Sequence, residues 1–191
     1  MTTLKLHLLG PVRIQLGDEE IDVKPRKALA LLIYLAVTAE RHSRDALATL
    51  LWPDSSQRAA RTSLRSRLSE LNAVLGKGWI EADRETVALR DGYWLDVRQF
   101  KQHVGQEVDA QELVAAVDLY RGDFLAGFTL PGSAEFDDWQ FHHTESLRRE
   151  FATALERLSH AHAGRPDSDT AFAYARRRVA LDPWKKRRTG S

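Results

Sequence analysis

Between Ser56 and Ser69 the chain reads SQRAARTSLRSRLS, in which Arg58, Arg61, Arg65 and Arg67 are interleaved with Thr62, Ser63, Ser66 and Ser69 and no acidic residue occurs. A guanidinium is a permanent cation with a planar fork of five N–H donors, and a hydroxyl both donates and accepts. Cations and short hydroxyls in one run suit a polyanion that carries a readable pattern of polar edges. Arginines neutralise phosphates and release counterions, while hydrogen bonds to base edges carry sequence information.

Other chemistries have weaker support. His142, His143 and Glu145, and His160 with His162, are spaced i,i+1 and i,i+2, whereas two ligands on one helix face need i,i+4. The sequence has no cysteine, so disulfides and thiolate zinc sites are excluded. Gly76-Lys77-Gly78 lacks the frame of a phosphate-binding loop, and no Ser/His/Asp or paired-carboxylate arrangement stands out. The expectation is a protein that is not an enzyme, with no catalytic residues, no metal and no cofactor.

The basic run needs a helix to present it. Leu64, Leu68, Leu71 and Leu75 are spaced four, three and four apart, one apolar stripe at 3.6 residues per turn. With that stripe turned inward, Thr62, Ser66, Ser69 and Ala73 form the opposite crest and arginines flank it. Such a helix fits the DNA major groove, which admits one helix between two phosphate walls.

Charge is unevenly spread. The whole chain of 191 residues carries a formal net charge of +1, with 43% hydrophobic residues to build a core. Residues 1–98 hold 15 Lys/Arg against 13 Asp/Glu, residues 99–182 hold 9 against 14, and the last nine residues add four cations. Any nucleic-acid footprint is therefore local, centred on the basic run. The N-terminus lacks the pattern of a signal peptide, and the longest apolar run, Ala28 to Val37, is about half of what a membrane span needs. A cytoplasmic protein with no membrane contact is expected.

The surrounding elements follow from local pattern. Leu4, Leu6 and Leu8, then Val12, Ile14 and Leu16, predict two strands joined at Gly10-Pro11, with Ile21-Asp22-Val23 after a further turn. Pro25 precedes a helix apolar nearly all round. Ser43 caps a second helix whose buried face is Ala46, Leu47, Leu50 and Leu51, ending at Trp52-Pro53. Asp54, Ser55 or Ser56 caps the third helix, and Gly76 and Gly78 stop it. Trp79-Ile80-Glu81, Thr86 to Leu89 and Tyr93 to Val97 then predict a three-stranded wing with charged turns at Asp83-Arg84-Glu85 and Arg90-Asp91-Gly92. Trp52, Trp79, Trp94 and Trp139 lie beside apolar neighbours and are expected to pack in the core or between domains.

This order, with LxLLGPVRI (Leu6 to Ile14), PRKALALLIYLA (Pro25 to Ala36), RDALATLLWPD (Arg44 to Asp54), AARTSLRSRLSELNAVLG (Ala59 to Gly76) and WLDVRQF (Trp94 to Phe100), resembles the winged helix-turn-helix of OmpR-type output domains. More closely it resembles the first half of SARP-type activators, the Streptomyces antibiotic regulatory protein family. The resemblance implies that the third helix reads the major groove and the wing reaches neighbouring phosphates or the minor groove. It makes Thr62, Arg65, Ser66, Arg67 and Ser69 candidates for groove contacts, Arg58 and Arg61 for phosphate, and Arg84 or Arg90 for the wing. Glu70 and Asn72 depart from the arginines usual there. A glutamate either accepts from a cytosine amino group or weakens binding to phosphate.

Beyond Gln99, helical spacing over Phe100 to Val104 and Glu112 to Tyr120 leads to a long amphipathic stretch from about Asp138 to Ala163, with Leu147, Phe151, Leu155, Leu158 and His162 on one face. Asp137-Asp138 place negative charge at its start. After Gly164-Arg165-Pro166, Asp167 or Ser168 caps a further helix with small residues at Ala171, Ala173, Ala175 and Ala180. Such pairs suggest tetratricopeptide-like (TPR-like) stacking. YRGDFLAGF (Tyr120 to Phe128) and ALDPW (Ala180 to Trp184) resemble the bacterial transcriptional activator domain of SARP-type proteins.

The expected fold is mainly α with small antiparallel β. Residues 1–98 would form a winged helix-turn-helix and residues 99–184 a TPR-like helical domain cut short. Residues 185–191 would be a basic tail or cloning scar. The expected function is that of a sequence-specific DNA-binding regulator, an activator, on double-stranded DNA. One short helix reads a small site, so tight binding calls for several copies on repeated sites and a homo-oligomer on DNA. Contact with RNA polymerase is implied by the resemblance alone. The alternative is a protein-interaction module with a winged fold that does not bind DNA.

Overall fold

A computed structural model describes residues 3–105 and 109–162, together with Ala173, Tyr174, Arg176 and Arg177. Strands β1 (Leu4–His7), β2 (Arg13–Leu16) and β3 (Glu19–Ile21) form an antiparallel meander with Leu6 opposite Ile14. Alternation sets its inner face: Leu4, Leu6 and Ile14 are buried. Helix α1 (Arg26–Thr38) buries Ala28, Ala30 to Ile33, Leu35 and Ala36, so almost its whole circumference is covered, and it ends at Ala39 with φ 53°.

The second helix, α2 (Arg44–Leu51), is preceded by β4 (His42–Ser43), and the Ser43 hydroxyl accepts from the Ala46 N–H at 3.1 Å. Ala48 rather than Ala46 joins Leu47, Leu50 and Leu51 in the core; Ala46 is exposed. Helix α3 (Gln57–Leu75) is capped by Ser56, buries Leu64, Leu68, Leu71 and Leu75 as the stripe requires, and extends it by one turn to Ala60.

The wing differs from its expected composition. β5 (Ile80–Ala82) and β6 (Thr86–Leu89) form the hairpin, but its third strand is β4, with His42 opposite Val87. β7 (Trp94–Leu95) instead pairs in parallel with β1, Leu6 facing Leu95, and completes the first sheet in the order β3-β2-β1-β7. Tyr93 explains the detour: its ring is buried and its hydroxyl donates to the Ala36 carbonyl at 2.7 Å, drawing the chain away from the hairpin towards α1.

Helices α4 (Asp96–His103), α5 (Ala110–Leu119) and α6 (Ala134–His162) make the second half. α5 opens on a capping box between Asp109 and Glu112. α6 starts one turn earlier than Asp138, with Asp137 in its first turn, and buries Leu147, Phe151, Ala154, Leu155 and Leu158. The fold is a winged helix followed by a helical domain. The proposed second helix of the repeat pair, residues 167–181, and the basic tail lie outside the described residues apart from the four positions named above. Arg177 donates to the Tyr120 carbonyl at 2.7 Å and lies over the Phe151 ring, and Tyr174 packs against the core.

Buried side chains of the two halves join in one continuous cluster. Backbone bonds link Leu8-Leu9-Gly10 to Arg121–Ala126, including Leu125 N–H to the Leu8 carbonyl at 2.8 Å and Gly10 N–H to the Asp123 carbonyl at 3.1 Å. The approach is close enough that a Cβ on Gly122 would meet the Gly10 Cα at 3.3 Å. Thus the LLGP and YRGDFLAGF motifs are the two sides of one seam. Trp139 spans it, touching Tyr34 of α1 as well as Phe124 and Phe136.

Candidate nucleic-acid interface

α3 packs on α1, α2 and β5, which leaves its crest outward. Arg58, Arg61, Thr62, Arg65, Ser66, Ser69 and Ala73 are all exposed. Between this helix and the hairpin runs a cleft of about 680 Å³, lined by Arg44, Arg61, Arg65, Ser69, Asn72, Asp83 and Arg84 over a floor that includes Leu64 and Leu68. A shallower basin continues along Gln57, Arg58, Arg61, Thr62 and Arg65.

Two carboxylates shape the cleft. Asp83 accepts from the Glu85 and Thr86 N–H groups at 2.8 and 2.7 Å and from the Thr86 hydroxyl at 2.9 Å. These bonds hold its carboxyl at about 2 and fix the turn that carries Arg84. Arg44 Nε donates to the Asp83 carbonyl at 2.8 Å and ties α2 to the same turn. On the other side Asp45 of α2 takes both arms of Arg61, at 2.5 and 2.6 Å, and this hydrogen-bonded partner lowers the Asp45 carboxyl below its ordinary value.

The candidate residues separate into groups. Arg61, Arg65 and Ser69 face the hairpin, opposite Arg84. Arg61 is held by Asp45, so its guanidinium is already engaged where a phosphate contact was expected. The Thr62 hydroxyl donates to the Arg58 carbonyl at 2.9 Å, which leaves it lone pairs and a methyl for an incoming edge. Arg67 turns to the other flank, where it donates to Glu70 at 2.8 Å and to the hydroxyl of Ser66, on the crest, at 3.3 Å. Arg67 is therefore a shoulder residue, away from the crest, and Glu70 faces a cation of its own chain. One Glu70 oxygen, Oε2, is buried with no hydrogen-bond partner among the described residues.

Arg90 lies at the base of the hairpin, at the far end of β6 from Arg84, and its guanidinium stacks over Trp79 at 5.1 Å. Of the two wing candidates, only Arg84 is at the tip. Arg44, Asn72 and Asp83 are polar lining residues that sequence reasoning did not select. Arg44 read simply as the first residue after a helix cap. Asn72 read as a lost arginine, although an amide can bond an adenine edge.

The chain is similar to mycobacterial EmbR. It is 27% identical over 179 residues to the transcriptional regulatory protein EmbR of Mycobacterium tuberculosis strain H37Rv and, equally, to that of Mycobacterium bovis. The match covers 90% of this chain and 46% of each relative, so the chain spans about half the length of the curated relatives it matches. A solved structure of M. tuberculosis EmbR, in complex with a low-affinity phosphopeptide, has a TM-score of 0.61 and 21% identity over 95% of this chain and 57% of that one. The two share a fold. No family model matches the chain. The EmbR relatives are transcriptional regulators, and among the described residues no helix is long and apolar enough to cross a membrane.

Proposed function

We propose that the chain is the DNA-binding part of a cytoplasmic, non-enzymatic transcriptional regulator, an activator that binds double-stranded DNA sequence-specifically, with α3 in the major groove and the hairpin tip on the neighbouring backbone. The observation that carries this reading is the cleft in which Arg44, Arg65 and Arg84 face one another beside an exposed hydroxyl crest. With the helix in one groove and the hairpin tip beside it, a sugar–phosphate strand would run between them. Arg44, Arg65 and Arg84 take that strand, while Thr62, Ser66, Ser69 and Asn72 read edges. The similarity to EmbR supports the regulatory role. Repeated sites, a homo-oligomer on DNA and contact with RNA polymerase extend the reading through the SARP-type resemblance.

The test begins with selection from a pool of random-sequence duplexes, followed by fluorescence anisotropy on the selected site between about 50 and about 200 mM salt. Arg65→Ala is expected to weaken binding roughly tenfold and to reduce the salt slope by about 0.9. Ser69→Ala should instead change which sequence is preferred. Failure of the selection to enrich any site, with both variants indistinguishable from the parent, would overturn the reading.

A second reading has one observation in its favour: Arg61 and Arg67, two of the α3 candidates, are already paired with Asp45 and Glu70. A winged fold serving as a protein-interaction module would carry such self-neutralised arginines. The same salt titration separates the two, because a module that does not bind DNA gives no salt-dependent anisotropy.

A further inference from the structure

The flank of α3 that faces away from the hairpin carries cations of its own. Arg26, Lys27 and Arg67, with Ser63, Pro25 and Trp52, line a hollow of about 360 Å³, and among the described residues no carboxylate lines it. At 100° per residue, Ser63 and Arg67 stand roughly 90° and 130° round the helix from the Thr62–Ala73 crest, against roughly 70° and 110° for Arg65 and Arg61 on the hairpin side. The helix therefore has two cationic shoulders, of which the sequence pointed to the first.

Each cation of the second shoulder is held in place with donors to spare. Lys27 donates one of its three ammonium hydrogens to the Leu51 carbonyl at 2.5 Å and lies 5.2 Å from the centre of the Trp52 ring. Arg26 is exposed and gives one guanidinium nitrogen to the Thr129 carbonyl and hydroxyl, at 2.9 and 3.1 Å. Arg67 is steadied by Glu70. Two acids act nearby: Glu70 through that pair, and Asp54 electrostatically on Lys27. Neither closes the hollow.

We propose that this hollow is a second phosphate shelf, which takes a backbone phosphate of the strand across the major groove from the one held in the α3–hairpin cleft. The inference rests on the reading that α3 occupies the major groove. A helix with its side chains is about 10–12 Å wide, and the groove about 12 Å, so both phosphate walls come against the helix and each shoulder meets one strand. Lys27 and Arg26 supply the charge and Ser63 a neutral donor. Because these contacts touch no base, they add affinity and orientation without adding sequence preference.

Phosphate-ethylation interference with the full chain on the selected duplex tests the shelf. The parent protein should show blocked phosphates on both strands across one major groove. Lys27→Ala should lose the interference on the shelf strand alone, lower the salt slope by about 0.9 and keep the selected sequence. Lys27 also bonds the end of α2, so Arg26→Ala, whose contacts lie at the surface, is made in parallel and should weaken the same strand's pattern. Arg65→Ala serves as the control. If Arg65→Ala loses binding while both Lys27→Ala and Arg26→Ala keep the parental two-strand pattern, the shelf is wrong and the major-groove reading stands. If Arg65→Ala also binds normally, the major-groove reading fails and the shelf with it. Interference confined to the hairpin-side strand in the parent overturns the shelf outright, as does binding of an acidic peptide that competes with no DNA.

Discussion

Charged side chains play opposite parts at the α3–hairpin cleft and at the seam between the two halves. At the seam, Asp96 is buried, accepts from the Leu8, Leu9 and Val97 N–H groups at 2.8–2.9 Å, and has Arg121 at 3.8 Å. Nearby, Arg148 joins Asp123 and Glu145, and Tyr120, stacked on Phe151, bonds Asp123. Both oxygens of Asp96 and both of Asp123 have donors of the same chain. At the cleft, Arg65 and Arg84 are exposed, and what holds the site together is a pair of carboxylates, Asp45 and Asp83, set among more arginines. Charge satisfied internally builds the fold. Charge left to solvent is available to a partner.

The sharpest way to break that comparison is at Asp96. Burial raises its carboxyl above the ordinary value, against the opposing pull of the Leu9, Leu8 and Val97 N–H donors. Asp96→Ala removes the acceptor of three backbone N–H groups in a buried place. A loss of about 3–5 kcal/mol is expected, a large part of a typical domain's stability. Urea denaturation measures it. A loss no larger than that of an exposed substitution would show that the seam does not depend on this carboxylate.

A smaller effect of opposite sign is expected at the cleft. Asp45→Asn gives up the charge that engages Arg61, on a surface where ion pairs contribute little to stability. The melting temperature should stay near that of the parent, and DNA binding should strengthen, with a salt slope steeper by about 0.9 as Arg61 turns to phosphate. Weaker binding instead would mean that Asp45 orients Arg61 for contact, and the cleft would then resemble the seam, using internal pairs as scaffolding.

The parts of this arrangement legible in the sequence are those fixed by neighbours along the chain. The leucines of α3 repeat within a few turns, so the buried stripe and the exposed crest could be read directly, and so could the Ser43 cap. Strand partnership could not. Tyr93 to Val97 looked like a third wing strand because its composition suits any sheet, yet Trp94 and Leu95 pair with Lys5 and Leu6, and Asp96 and Val97 open α4. His42-Ser43, which takes that place, is too short to show alternation. The role of an arginine was equally non-local. Arg61 meets Asp45 from another helix, and Arg84 and Arg90, similar by composition, end up at the tip and the base of one hairpin. The shoulder formed by Arg26 and Lys27 was hidden because both lie in the first turn of α1, and only packing brings that turn beside α3.

The smallest expected effect concerns pH. His143 packs between Trp139 and Phe124, and burial lowers its pKa below the ordinary 6.5; burial does the same to His42, whose ring meets that of Tyr34 at a tilt. For a base whose folded pKa lies below its unfolded value, the unfolded chain binds the proton more readily. Its contribution is thus full above the unfolded value near 6.5 and is lost as pH falls through it towards the folded value. The melting temperature should fall between about pH 7.5 and about pH 5.5, and His143→Gln should make that fall shallower. Among the described residues no histidine lines the α3–hairpin cleft, and Asp83, at about 2, stays ionised throughout this window. DNA binding by the folded protein should therefore stay level across pH values at which stability declines. A binding curve that titrates near pH 6 while the melting temperature holds would place a histidine at the interface and erase the division between a self-satisfied seam and an open, permanently charged cleft.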